Sequence, residues 1–583
     1  MQVTGTGCRS LGAILFLGAV MACTGWSGHA FAQDQAPLQL DREGSDSAAA
    51  EASEPVLVVS IASLNKLMQD VNYITAVVGQ PTAGGFFTMM AGGFAQGLDM
   101  TRPIGIIVPI VDGAPEPIAM VPTPDAESML KRLEAQGQIG AIDRLDDGTL
   151  VIAAGPSLVY IRQAGPWAVV ARQKELLGLA PADPSELLAD LGDNYTLSAQ
   201  LNVQEIPAET REGLIAQLRQ GFEQAMAQRA GDNTEDLQAA SEGTIKQLEQ
   251  LIRDSDQLMF GWNINPEEKI VTIDTEFIAA EGTEMAQLYS GQKVVASKFA
   301  NVINDEHAMF YQAAVSFGPK VIERSRESIA AAKQMIAKAI TDSEDLDAEA
   351  KAHVSELINA LTDLVAQTIA AGKFDIGIQA IADDGQLEFA GGMFVSDGAK
   401  AESLVRNLAA KLEDVEDAPA FTFDEGKHQG VELHSITVDI PQEESELQEI
   451  FGEQAVIKLG TAPQALYFAI GENSEQTLKD FIDSGSKNDN PTDRPLGQMQ
   501  FSLLPFLRFA QSVKSNDVVA SMIDTLSQNV DTDYILLQSD IIENGQASTL
   551  EIGEGILKAT GAAVREVQMQ QMKQLQQQGG GQF

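Results

Sequence analysis

One order of events recurs four times along this chain and limits its fold more than any other feature: an apolar strand, a helical stretch, then two apolar strands around a polar turn. The first copy opens at Val56-Leu57-Val58-Val59-Ser60-Ile61 and resumes as strands 104–111 and 118–121 around Asp112-Gly113. The second opens over 195–203, places Pro207 at a helix start, and closes with strands 258–264 and 270–278 joined through Asn265-Pro266-Glu267-Glu268. The third runs from 308–315 through Pro319 to strands 374–381 and 387–395 around Asp383-Asp384-Gly385. The fourth runs from 498–504 through Pro505 to strands 534–541 and 548–552 around Glu543-Asn544-Gly545. Proline suits a first helical turn because the N–H it lacks has no partner there. Asp-Gly and Asn-Gly between apolar runs mark tight hairpins, since glycine takes positive φ without steric cost, so these strand pairs are expected to be antiparallel.

Between the first and second copies, strands near 150–153, 158–162 and 167–171 lead into a short helix. Between the third and fourth, strands near 431–438 and 466–470 lead into a helix over 472–483. The order is unit, insert, unit, repeated once. Ala126-Glu127-Ser128 with Leu133 and Ala135 also matches Ala401-Glu402-Ser403 with Leu408 and Ala410. Two duplicated halves are therefore expected, 55–300 and 301–560, the alternative being chance likeness between acidic amphipathic helices. In 271–277 the apolar residues Val271, Ile273 and Phe277 alternate, with Thr275 joining through its methyl, so one strand face is buried. Ile322, Ile329, Ile336 and Ile340 make a helical stripe, and Leu357, Leu361, Leu364 and Val365 a second. Antiparallel sheet covered on one face by long helices is an α+β fold.

At 583 residues the chain is long enough for several domain-sized units, and its 44% hydrophobic content supports a substantial core. Its 83 acids against 38 bases give a formal charge of −45, which excludes a general nucleic-acid binder and disfavours anionic membrane surfaces. Such a charge keeps a large protein soluble. Arg9, the apolar run 11–22 and Ala30-Phe31-Ala32 have the form of a secretory signal, too short to span a bilayer. Residues 1–32 are expected to be removed, leaving an acidic disordered tether over 33–54 and an exported protein in the periplasm or medium. Val20-Met21-Ala22-Cys23 loosely resembles a lipoprotein box, the minority alternative. Cys8 and Cys23 both precede Ala32, so disulfides and thiolate chemistry would leave with the signal. Residues 561–583, rich in Gln and Gly, are expected to form a flexible tail.

The export signal, the acidic chain, the stretch 195–203 followed by Glu205-Ile206-Pro207, and Phe260-Gly261-Trp262-Asn263 resemble a family of large uncharacterised exported proteins of planctomycete-type bacteria. That resemblance covers most of the chain and implies no activity, ligand or catalytic residue.

No Gly-x-Ser-x-Gly elbow, His-Glu-x-x-His helix or phosphate-cradling glycine loop occurs, so no catalytic residue and no cofactor are assigned. Ser63-x-x-Lys66 and Ser484-x-x-Lys487 have Ser-Lys spacing without the partner motifs. His428, Glu432 and His434 would share one side of an extended strand, though 428 and 434 stand about 20 Å apart unless a bulge folds the segment, so exposed histidines on a strand edge are preferred to a zinc site. The acidic runs 342–347 and 413–417 lack calcium-loop spacing. Phe86, Phe87, Met90 and Phe94, set among glycines, are the candidate wall of an apolar groove, with core packing preferred. Taken together, the expectation is a non-enzymatic exported binding or scaffold protein of the cell envelope, holding an apolar small molecule or an envelope protein partner between its halves. The alternatives are an exported hydrolase working through carboxylates and a purely structural envelope component. A pocket of carboxylates with raised pKa would favour the hydrolase.

Overall fold

A computed structural model describes residues 54–579 except 138, 155–156, 230–244, 247, 343–347, 384, 414–417, 443–447, 449 and 486–493. The expected signal and all but the last residue of the tether, with Cys8 and Cys23, lie outside the described residues, as do most of both acidic runs.

The chain opens with β1 (Leu57–Ile61), α1 (Leu64–Val77), α2 (Pro81–Phe94), β2 (Ile104–Val108), the small hairpin β3 (Ile110–Val111) and β4 (Ala114–Pro115), and β5 (Ile118–Pro122). An insert follows: α3 (Ala126–Ala135), β6 (Ile142–Arg144), β7 (Leu150–Ala154), β8 (Ser157–Ala164), β9 (Trp167–Ala171) and α4 (Pro184–Asn194). Then come β10 (Leu197–Asn202), α5 (Ala208–Arg229), β11 (Ser255–Asn265), β12 (Ile270–Ala279) and α6 (Glu284–Ser290). After the short β13 (Lys293–Val294) the sequence of elements repeats: β14 (Met309–Ser316), α7 (Pro319–Asp342), α8 (Ala348–Ala370), β15 (Lys373–Asp383) and β16 (Gln386–Phe394). The matching insert is α9 (Gly398–Leu412), β17 (Ala420–His428), β18 (Val431–Asp439), β19 (Gln454–Ala462), β20 (Ala465–Ile470) and α10 (Ser474–Gly485). The last unit is β21 (Gly497–Ser502), α11 (Leu503–Val513), α12 (Asp517–Leu526), β22 (Tyr534–Ile542), β23 (Gly545–Gly553) and α13 (Glu554–Gly579). This is α+β architecture, and every strand pair is antiparallel.

Hydrogen-bonded neighbours follow the order β6-β7-β8-β9-β5-β2-β1-β10-β11-β12 in the first half. In the second they follow β17-β18-β19-β20-β16-β15-β14-β21-β22-β23, the same order element for element. The halves join where β12 pairs with β23, strands that hold the same place in each half. Residue register repeats as well. One transverse row runs Val169, Met120, Gly105, Ser60, Ser198, Gly261, Asp274, and continues into Thr549, Gln538, Gln498, Gln312, Gly377, Gly392, Tyr467. Each member has its counterpart at the mirrored place, so a local twofold axis passes between Asp274 and Thr549, whose hydroxyl donates to the carboxylate at 2.6 Å.

Directly paired residues share a sheet face, and glycines in this row admit what covers it. A Cβ on Gly105 would meet Leu188 of α4, one on Gly261 the Tyr195 ring, and one on Gly377 or Gly392 would stand 2.4 Å from Phe299. Asp183 caps α4 by accepting the Ser185 N–H at 3.0 Å, with Pro184 at the first helical position. The inserts are thicker than a one-sided sheet: β9 turns Trp167, Val169 and Ala171 toward Leu188 and Leu191 of α4, while Ala168 packs with Met129 and Leu130 of α3. At the seam the layer is thin, since no residue of β12 between Val271 and Ala279 is fully buried, and Thr275 is exposed.

The second core begins before residue 301, because β13 pairs with β14 and Phe299 and Val302 pack with Phe310, Leu478 and Phe481. Residues 561–579 are helical. They continue α13, because Ala559 and Ala562 are buried and Gly561 sits so close to Val78 that a Cβ there would be 2.3 Å from its carbonyl oxygen.

Beside this second core, His307 donates from Nδ1 to the Val302 carbonyl at 3.0 Å, and burial pushes its imidazole below the usual pKa despite that bond and Glu306. The unfolded chain therefore binds this proton near pH 6.5 while the folded chain resists it, so stability falls as pH drops below about 6.5. Urea midpoints measured from pH 7.5 to 5 should show this slope in the wild type and a shallower one in His307→Gln. Equal slopes would remove His307 as its source.

Candidate ligand-binding groove

Helix α6 is built to stop early. Thr283 caps its start by accepting the Ala286 N–H at 3.2 Å, and it ends at Gly291, where a Cβ would lie 2.9 Å from the Gly318 Cα. Only glycine lets two backbones cross this closely. Pro319 then starts α7, so the end of α6 and the beginning of α7 meet at the crossing.

Between these helices and β23 lies a groove of about 500 Å³. Met285, Leu288 and Tyr289 of α6, Val321 and Ile329 of α7, and Ile369 of α8 supply apolar walls. Tyr289 packs on Phe277 of β12 with ring centroids 5.4 Å apart, and Gln546 of β23, which pairs with Phe277, also lines the space. Both halves thus contribute to a groove resting on their shared seam.

Arg324 is the one charged residue lining it among the described residues. Val321, Arg324, Ser325 and Ser328 follow the spacing of one helical face, which brings the guanidinium among the apolar walls. Burial raises the Tyr289 phenol pKa, and the Arg324 charge partly opposes that rise; both side chains line the groove. The adjacent Glu323 is paired with Lys320 at 3.1 Å, and among the described residues no acid forms an ion pair with half-buried Arg324. In a chain with formal charge −45, a cation left over in an apolar groove stands out from its surroundings.

The twofold-related seam is bridged by side chains. There α13 follows β23 as α6 follows β12, and it meets α1 as α6 meets α7. Tyr73 of α1 donates its hydroxyl to Glu554 of α13, which also pairs with Lys558. Burial raises the Glu554 pKa, but these two partners bring it below the usual carboxylate range. A helix of 26 residues stands at one seam where a helix of 7 stands at the other.

A polar cleft of about 570 Å³ lies elsewhere, lined by Ser63, Lys66, Gln69, Asn263 and Asn265 among others. Its lysine is fully engaged: Nζ donates to both Asp70 oxygens at 2.7 Å and to the Ile264 carbonyl at 2.9 Å. Ser63 caps α1 by accepting the Lys66 N–H at 3.1 Å. The Ser63-Lys66 spacing therefore serves a helix start and a buried Asp70 rather than a nucleophile and its base. Ser484 donates to the Phe481 carbonyl, and Lys487 lies outside the described residues.

The metal candidate is not assembled. Gln429 and Gly430, both at positive φ, turn the chain between His428 on β17 and Glu432 and His434 on β18, so no single strand carries all three. His428 meets Asp483 at 2.7 Å, Glu432 meets Lys427 at 2.5 Å, and buried His434 accepts the Asp424 N–H and contacts Thr461 at 3.1 Å. Among the described residues no three His, Cys, Asp or Glu side chains converge to hold a metal.

Phe86, Phe87, Met90 and Phe94 all lie on α2. Gly84 and Thr88 turn to α1, where Asn72 donates to Thr88 at 2.8 Å, which leaves Phe86 59% and Met90 50% exposed; Phe87 is half-buried. The Phe94 side chain lies outside the described residues. Phe86, Phe87 and Met90 do not line the seam groove. The sequence pattern marks Ile329 within an apolar stripe but does not single out Arg324 beside it, because only the seam gives that arginine an apolar surrounding.

Two carboxyls are pushed up mainly by burial. Asp533 accepts the Leu504 N–H at the start of α11, and Glu551 stands near Glu268 and Asp274. Neither lines the groove. Among the described residues no helix is long and apolar enough to cross a membrane. No protein-family model matches the chain, and no curated protein or solved structure does either.

Proposed function

We propose that this is an exported, non-enzymatic binding protein of the cell envelope, and that it holds an apolar ligand in the groove between α6, α7 and β23. The observation carrying this reading is the asymmetry of the two seams: the fold repeats its strand order and register, yet the helix after β12 stops after 7 residues where the helix after β23 runs for 26, and a lined space of about 500 Å³ lies beside the shorter one. That volume lies within the usual range for small-molecule sites, and walls that combine apolar side chains with Gln292, Arg324, Ser325, Ser328 and Gln546 fit a ligand with both apolar and polar parts. The raised carboxyls belong to a helix start and to a cluster of like charges, which supports binding over carboxylate hydrolysis.

Native mass spectrometry of the protein purified from its own envelope fraction tests this. The expected spectrum shows a reproducible small-molecule adduct that is lost from Ile329→Asp, and an amino terminus at Gln33 rather than a lipidated Cys23. A bare chain at its calculated mass, from fractions in which the protein is folded, overturns the binding reading.

A further inference from the structure

We infer that the ligand of this groove is a single-chain amphiphile with an anionic head, a fatty carboxylate, and that Arg324 holds the head. This rests on the groove being a binding site and adds the class of its ligand.

A purely apolar cargo gives no reason for a guanidinium on the wall. An arginine among apolar side chains is costly to desolvate unless a partner completes it, and among the described residues no acid, Glu327 one turn along the helix included, forms an ion pair with Arg324. Carboxylates match guanidinium geometry through two parallel N–H donors. Tyr289, which lines the same groove, supplies a further hydroxyl donor. Ile329 and Ile369 then provide the apolar length for an alkyl chain. Overall charge argues the same way by contrast: a −45 chain repels anions at long range and attracts cations. A preference for an anion must therefore come from a local feature, and a preference for a cation would be what the whole surface dictates.

The test uses the full mature chain at pH 8, where a fatty carboxylate is ionised. Nile red, which is uncharged, reports occupancy of the groove, and laurate, dodecanol and dodecyltrimethylammonium compete for it. Laurate is expected to displace the dye at a concentration at least about tenfold below that of dodecanol, the scale of one charge-assisted contact. Arg324→Met should bring laurate up to the dodecanol value and leave dodecanol unchanged. Val321→Asp and Ile329→Asp, both at half-buried positions, should abolish dye binding while retaining the wild-type helical signal.

If dye binding is lost in the aspartate variants but laurate and dodecanol compete equally, or the cationic amphiphile wins, the groove stands and the anionic ligand falls. If the dye does not bind, or binds as well to both aspartate variants as to wild type, the groove reading itself falls. Two aspartate positions keep the result interpretable if one variant misfolds.

Discussion

Replacing Ile273 with proline is expected to split the unfolding of this protein into two transitions. Ile273 lies in the middle of β12 and pairs with Trp262 on one side and Leu550 on the other. Proline in a central strand removes a ladder hydrogen bond and fixes φ away from the strand value, which is why prolines within sheets are confined to edges and bulges. Here the loss falls on the ladder between β12 and β23 that connects the halves, and the layer around it has few fully buried side chains to compensate. Each half keeps its own buried cluster, one around Trp167 and Leu188 and one around Phe310 and Phe481. Calorimetry should resolve a first transition well below the wild-type midpoint and a second close to it. Ser548, at the position the local twofold axis relates to Ile273, offers the independent check: Ser548→Pro should split the melt in the same way. A single cooperative transition, merely lowered, in both variants would show that the halves depend on one another through more than this ladder.

The strands on either side of that ladder are legible in the amino-acid pattern, while their partnership is not. Alternation over 270–278 and the Asn544-Gly545 turn mark β12, β22 and β23, and Asn544 does adopt the positive φ such turns need. Nothing within 270–278 says that its far edge meets 545–553, because a pairing across more than 260 residues leaves no trace in either strand's own periodicity. The repeated Ala-Glu-Ser illustrates the limit from another side. Asp125 caps α3 at Ser128 and Asp397 caps α9 at Lys400, so Ala126-Glu127-Ser128 begins its helix whereas Ala401-Glu402-Ser403 comes about one turn later. The register instead matches Ile104-Gly105-Ile106 to Ile376-Gly377-Ile378, a pair of short stretches whose glycines matter only because Leu188 and Phe299 descend on them.

The groove is harder still to read from the residues alone. Its walls come from α6, α7, α8 and β23, and its opening depends on α6 ending at the Gly291–Gly318 crossing while its counterpart α13 runs on. Helical spacing over 321–329 shows that a face exists. It does not show that the face is left uncovered, since that follows from how long a different helix is.

The largest effect of a single side chain on stability should come from Asp375. Its carboxylate is buried on β15, where it accepts from the Ser297 hydroxyl at 2.5 Å and the Lys298 N–H at 3.0 Å and meets Lys373 Nζ at 3.1 Å. Arg494 also depends on it. Desolvation lowers the Arg494 pKa and the Asp375 charge opposes that, while Arg494 Nη2 donates to the Val295 carbonyl and its Nε and Nη1 are buried without a hydrogen-bond partner in the structure. Asp375→Asn keeps the shape and removes the charge, which leaves two cations in a largely desolvated place. Removing one member of a buried ion pair costs about 3 to 5 kcal/mol, and because Lys373 retains 28% exposure the lower end is expected. Asp70→Asn should cost less, about 1 to 3 kcal/mol, because among the described residues the cation it deserts is Lys66, at 32% exposure, beside an open cleft that can hydrate it. Urea unfolding of both variants gives the comparison. Adding Lys373→Met to Asp375→Asn should restore part of the loss by removing one stranded charge, a rescue that a simple packing defect at Asp375 would not show. If Asp375→Asn costs no more than Asp70→Asn, Arg494 and Lys373 find their compensation elsewhere, and the carboxylate is not what holds this end of β15 to the segment carrying Ser297.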